Sequence, residues 1–247
     1  MVMFRTLLLA LVSSLLFLSN AQAAEKIIVA SDACWPPMEY LDNQKNVMGY
    51  STDYIKELVK ETGLNMEVRN IAWDGIFAGL IAGQYDIVAS SVTITPERQK
   101  QMGFTIPYYQ VRQAIVVKKG VNCATLADLK GKKVGGQIGT TGIFVVQAAK
   151  CDAIIREYED VGLAMEDLSN GRIDAVVCDD PVAGYYANKK EGFANKFQVA
   201  FKTGETEDYG FAVQKGRPEL IEKLNKGILA LREKGVEKAL IKKWMGE

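Results

Sequence analysis

The sequence contains no histidine. That absence removes Ser-His-Asp and Cys-His nucleophile machinery and most zinc or iron sites, all of which lean on imidazole. Cysteine is scarce as well. The four, Cys34, Cys123, Cys151 and Cys178, never fall in CxxC spacing, so a thioredoxin-like redox pair is excluded. An excess of charge of either sign is missing: 30 Lys plus Arg balance 30 Asp plus Glu, which gives no broad basic face for nucleic acid. Past the first residues there is no long apolar run. The glycine-rich stretch Gly135-Gly136-Gln137-Ile138-Gly139-Thr140-Thr141-Gly142 has neither GxGxxG nor P-loop spacing and no Lys-Ser/Thr behind it, so a nucleotide is a poor guest.

What is present begins with an address. Arg5 supplies positive charge, Leu7 to Leu18 form a short apolar core, and Ala21-Gln22-Ala23 is an A-x-A cleavage signal. This reads as a secretory signal peptide over residues 1–23, with no cysteine after the cleavage site to carry a lipid. The mature chain is expected in the periplasm. It is long enough for two domains of about a hundred residues each. In an oxidising compartment the cysteines are disulfide candidates. Cys123 precedes a short helix and Cys151 ends the next one, so these two are expected to pair, whereas Cys34 and Cys178 are expected as free thiols on opposite sides of a cleft.

The organising stretch is Asp86-Ile87-Val88-Ala89-Ser90-Ser91-Val92-Thr93-Ile94-Thr95-Pro96-Glu97-Arg98. A short buried strand ends in a cluster of hydroxyls. Thr95 then reads as an N-cap with Pro96 at the first helical position. Arg98 falls in the first turn, where the helix dipole disfavours a cation, so it asks for an anion of its own. A neighbouring surface acid is one candidate. The other is a ligand anion, held by hydroxyls, free N–H groups and a guanidinium fork at a strand's carboxyl end.

Strands are expected at Lys26–Ala30, around Met66 and Val68, and at Ile87–Ala89. Helices lie between them: Thr52–Lys60, stopped by Gly63, and a second on Ile76, Phe77, Leu80 and Ile81, capped by Asp74. That alternation predicts a parallel, helix-covered sheet with its ligands at the strand carboxyl ends. Asp32, Trp35, Trp73 and Ser90 to Arg98 all fall at that edge. Trp35 sits beside Pro36 and Pro37 on a stiff loop, where a core aromatic is the alternative reading.

The pattern then repeats. Gly83 to Ser91 matches Gly171 to Asp179, and each follows a strand and an amphipathic helix. Asp179 reads either as a site acid or as a helix N-cap before Pro181. The glycine-rich turn after the Val134 strand offers N–H groups to a small anion such as a carboxylate. The fold class is therefore α/β, with two similar lobes, each a mostly parallel sheet flanked by helices, joined by a two-stranded hinge. Residues 24–111 plus 207–247 form the first lobe and 112–206 the second. The first lobe offers hydroxyls and Arg98, the second an anion-binding turn and Asp179; facing each other they present a cationic, N–H-rich side and an acidic side, which suits a zwitterion.

The ordered set SDxxWPPMEY, WDGIFAGLxxGxYDIVASSVTITPER, LKGKKVGxQxGTTG and NGRIDAVVxDDP resembles family 3 extracytoplasmic solute-binding proteins across nearly the whole mature chain. These are the amino-acid receptors of ABC importers, and the lysine/arginine/ornithine and glutamine receptors are the nearest kind. The resemblance implies the periplasmic-binding-protein fold and a role for each candidate residue. Arg98, with the N–H groups of Thr93 and Thr141, would clamp the ligand carboxylate. Asp179, with oxygens of Ser91 and Thr93, would take its ammonium. Trp35 and Trp73 would sandwich the side chain, and Asp32, with Ser90 and Gln137, would meet its far end. The implied guest is a basic amino acid, arginine before ornithine and lysine, with glutamine the alternative. The implied partner is a membrane permease; no cofactor, metal or nucleic acid is expected, and the chain is expected as a monomer without catalysis. A rival class on the same fold is a periplasmic prephenate or arogenate dehydratase.

Overall fold

The computed structural model describes residues 26–246, and the expected signal peptide lies outside them. Two five-stranded sheets organise this part of the chain. The first contains β1 (Lys26–Ser31), β5 (Asn65–Asn70), β6 (Ile87–Val88), β7 (Gly103–Phe104) and β15 (Ala212–Val213). Its order is β5-β1-β6-β15-β7, with β1 parallel to β5 and β6, and β15 antiparallel to β6 and β7. The second contains β9 (Gln113–Lys118), β10 (Lys133–Gln137), β11 (Ile154–Tyr158), β12 (Ala175–Asp179) and β13 (Phe197–Lys202). Its order is β11-β10-β12-β9-β13. The first three run parallel and β9 is antiparallel to both its neighbours. β12 is buried at every residue, as a central strand covered on both faces must be.

Between the sheets runs an antiparallel ribbon of β8 (Tyr109–Val111) and β14 (Glu207–Tyr209). The chain breaks between β14 and β15: Gly210 sits against Ile94 and Phe104 where a side chain has no room, and the chain changes sheets. The proline loop is also more ordered than its sequence suggests. β2 (Cys34–Trp35), β3 (Glu39–Leu41) and β4 (Val47–Met48) form a small antiparallel sheet, with Pro36 and Pro37 in the β2–β3 turn, where no ladder N–H is needed.

Helix α1 (Tyr50–Thr62) buries Tyr54, Ile55 and Leu58 and stops at Gly63, which takes the left-handed conformation at φ 67. The last two helices, Pro218–Glu233 and Val236–Met245, return to pack on α1, and Lys243 reaches Asp53 at 2.6 Å. One correction concerns the short helix α2 (Ile76–Ile81). Its cap position is held by Gly75 in the left-handed conformation, so Asp74 stands outside the turn and caps nothing. A second concerns the cysteines. All four are free thiols, so the Cys123–Cys151 disulfide is not formed. Both side chains pack against the apolar cluster around Val134 and Val146, and the Cys123 thiol donates to the Thr125 carbonyl, 3.9 Å away.

Candidate functional site

The carboxyl ends of β1, β6, β10 and β12 all meet at one place. β1 delivers Asp32, and β6 delivers Ser90, Ser91 and Thr93. β10 ends in Gln137 and runs through Gly139 into helix α4 (Thr141–Ala148), while β12 ends in Asp179. A small pocket lies there, with room for water-sized occupants of about 20 Å³ between the closed walls. All ten residues singled out in the sequence line it: Asp32, Trp35, Trp73, Ser90, Ser91, Thr93, Arg98, Gln137, Thr141 and Asp179.

Arg98 is placed by helix α3 (Pro96–Gln101). The Thr95 side chain accepts from the Arg98 main-chain N–H at 3.2 Å and Pro96 opens the helix. The guanidinium donates to the carbonyls of Thr93 (2.9 Å) and Gly139 (3.2 Å) and lies 4.9 Å from the Phe77 ring centroid and 5.6 Å from that of Trp73. No carboxylate of the described residues is within ion-pair distance, so the surface-acid alternative falls away. Burial weakens the charge and outweighs the opposing pull of Glu207 and Asp179, so its pKa comes down to about 10.

Asp179 is the opposite pole. Its side chain makes no cap bond; it accepts from Gln113 Nε2 at 2.5 Å, from Trp35 Nε1 at 3.0 Å and from the Tyr209 hydroxyl. Burial pushes its pKa up to about 7 despite these donors, and the nearby Glu207 charge adds to the rise. Asp32 accepts from Gln137 Nε2 at 2.8 Å and from the Cys34 thiol at 2.9 Å, while its own N–H donates to Ser90 Oγ. Its carboxyl is likewise raised, chiefly by desolvation. Ser91 adopts a left-handed φ of 49, unusual for a residue with a side chain, and its buried hydroxyl has no hydrogen-bond partner among the described residues.

Hydrogen bonds cross the cleft throughout. Trp35 meets Asp179, Asp32 meets Gln137, Trp73 Nε1 donates to the Ile138 carbonyl at 3.0 Å, and the hydroxyls of Thr93 and Thr141 are 3.3 Å apart. The two lobes are thus closed on each other around the pocket. Glu207, Gln113, Tyr209 and Phe77 escaped the sequence reading of the site. The first three come from the crossover ribbon and the strand beside it, which carry no local signal for a binding role. Phe77 reads as an ordinary apolar helix position.

A polar pocket closed between two α/β lobes joined by a ribbon is the architecture of a two-lobed solute-binding protein. The chain belongs to the bacterial extracellular solute-binding proteins, family 3, whose family model matches residues 27–247. It is 34% identical over 247 residues, 98% of this chain and 99% of the relative, to ABC transporter arginine-binding protein 1 of Escherichia coli (strain K12). It is 36% identical over 210 residues, 84% of this chain and 78% of the relative, to a probable histidine-binding protein of Neisseria gonorrhoeae. An ancestral arginine-binding protein solved with bound glutamine superposes with a TM-score of 0.84 at 36% identity, covering 90% of this chain and 98% of that one; its arginine-bound form gives 0.83.

Proposed function

We propose that the chain is the extracytoplasmic substrate-binding protein of an ABC amino-acid importer. It takes a basic L-amino acid, arginine first and then ornithine and lysine, and hands it to a membrane permease. The observation that carries this reading is the arrangement of charge in one closed pocket: a buried guanidinium with no ion-paired carboxylate among the described residues, faced by a buried acid, with a second acid at another wall. An α-carboxylate supplies the fork that Arg98 lacks, and an α-ammonium restores the ionised form of Asp179. Asp32 then favours a guest with a cation at its far end, because a desolvated carboxyl group gains most from a charge-assisted partner. The relatives support the amino-acid class, and those named for arginine support the side chain. We assign the chain no catalysis.

Glutamine is the second reading, favoured by the glutamine-bound ancestral relative; its amide can also donate to Asp32. We further propose that residues 24–111 with 207–247 move as one lobe against 112–206. A calorimetric screen of the twenty amino acids plus ornithine tests the function. Arginine is expected at the top of the affinity order; a screen with no binding amino acid overturns the class, and one headed by glutamine overturns the basic preference.

A further inference from the structure

Glu207 stands behind two residues of the pocket wall, Thr93 and Thr141. It lies on β14, one half of the crossover ribbon, and sequence patterning gives it no role. Its Oε2 accepts from the hydroxyl of Thr141 at 2.6 Å and from that of Thr93 at 3.0 Å, one residue from each lobe. The same oxygen accepts from Gln113 Nε2 at 3.2 Å, and that nitrogen also reaches Asp179 Oδ1 at 2.5 Å. Glu207 and Asp179 are thus tied together through one amide. Gln113 is held in place: it is 1% exposed, and its Oε1 sits 2.6 Å from where a Cβ on Gly142 would stand.

The direction of these bonds has a chemical consequence. A carboxylate has only acceptors, so in its two shorter contacts with Glu207 each threonine hydroxyl gives up its single proton, and the longer 3.3 Å approach of the two hydroxyls to each other then carries none. Lone pairs alone then remain on Thr93 Oγ1 and Thr141 Oγ1, and Thr141 Oγ1 also accepts from Gln113 Nε2 at 3.2 Å. An acceptor is what a guest cation needs and what a guest carboxylate avoids. Beside them lies the buried Ser91 hydroxyl, next to the buried Glu39 carboxyl. We propose that Glu207 is the second acid of the α-ammonium subsite, a positioning residue that turns the Thr93 and Thr141 hydroxyls into acceptors and doubles the negative charge facing the guest's ammonium. The proposal rests on the amino-acid-binding reading above and says which part of the guest Glu207 serves. It also bears on the charge balance of the cleft, where Asp32 and Asp179 line the pocket with Arg98 and the charges of Glu207 and Asp179 both act on the guanidinium.

The test is calorimetry of the full chain and its Glu207→Gln variant with L-arginine, L-histidine and L-glutamine, alongside melting of the ligand-free proteins. Because every amino acid carries the same ammonium, Glu207→Gln should weaken each guest that binds by about tenfold or more, with the ligand-free melting temperature unchanged. Combined with Thr93→Val, the two losses should be less than multiplicative by about fivefold, because both changes break one link. Unchanged or tighter binding by Glu207→Gln overturns the proposal, tighter binding marking Glu207 as a competitor of the guest's carboxylate. A loss confined to arginine, or losses that simply multiply together with a lowered melting temperature, also overturns it. A wild type that binds glutamine or histidine but not arginine removes the basic preference and leaves the Glu207 ratio readable on the guest that binds. A wild type that binds none of the three removes the amino-acid reading, and this inference with it.

Discussion

Arg98 donates to two main-chain carbonyls and stacks near two aromatic rings, which leaves the rest of its fork for a guest. Arg98→Ala should lower amino-acid affinity by at least roughly 3 kcal/mol, because a desolvated carboxylate then loses its partner. Arg98→Lys should also weaken binding, since a point charge cannot make the bidentate pair. Titration of both variants checks this; near wild-type affinity in Arg98→Ala contradicts the clamp. Asp179 makes a pH prediction. Its pKa is raised to about 7, above the ordinary ~3.9 of an unfolded aspartate. Its contribution to the stability of the ligand-free fold is therefore fully present below about pH 4 and lost as pH rises through about 7. An incoming ammonium favours the ionised form. Binding near pH 6 should thus release a proton, and affinity should fall as pH drops below about 7. Calorimetry in buffers of different ionisation enthalpy measures the proton; no release near pH 6 contradicts the pairing.

Among the elements, the short helix that carries Arg98 is held by its cap. Thr95→Ala should reduce stability by about 1 kcal/mol and weaken binding, because the turn that aims the guanidinium loses its anchor. Gly142, in the first turn of α4, tests a close approach. A Cβ there would stand 2.6 Å from Gln113 Oε1 and 3.1 Å from Val177 Cγ2. Gly142→Ala should displace Gln113, separate Asp179 from Glu207 and lower affinity by about tenfold; unaltered affinity would show that the amide is dispensable. This scale also shows why parts of the site were legible. Strand ends that break abruptly into Ser90, Ser91 and Thr93, or into Asp179, announce themselves, and Thr95-Pro96 announces the helix behind Arg98. Glu207 and Tyr209 sit on a strand of three residues, too short for a period to form, and reach the cleft only through pairing with Tyr109–Val111 nearly a hundred residues earlier. Asp74 misled because a capping residue type preceded an apolar run, while the left-handed φ of Gly75 set the actual start.

For the whole molecule, the two-lobe plan was readable because the pattern Gly-x-x-Asp before a buried strand recurs, at Gly83 and at Gly171. The antiparallel placement of β9 and β15 was not, since pairing direction leaves no trace in hydrophobic period. The residues proposed to contact a guest come from both lobes, so a ligand should favour the closed form through its differential contacts. Small-angle scattering should show a smaller radius of gyration at saturating arginine; an unchanged profile contradicts hinge closure. The most direct test of the account is the arginine-to-glutamine affinity ratio in the wild type and in Asp32→Asn. Both guests carry the same α-carboxylate and α-ammonium, so the ratio isolates what meets the far end of the guest. The account predicts that the wild type prefers arginine and that Asp32→Asn erodes that preference by lowering arginine affinity far more than glutamine affinity. A wild type that prefers glutamine, or an Asp32→Asn variant whose arginine affinity is intact, would contradict it.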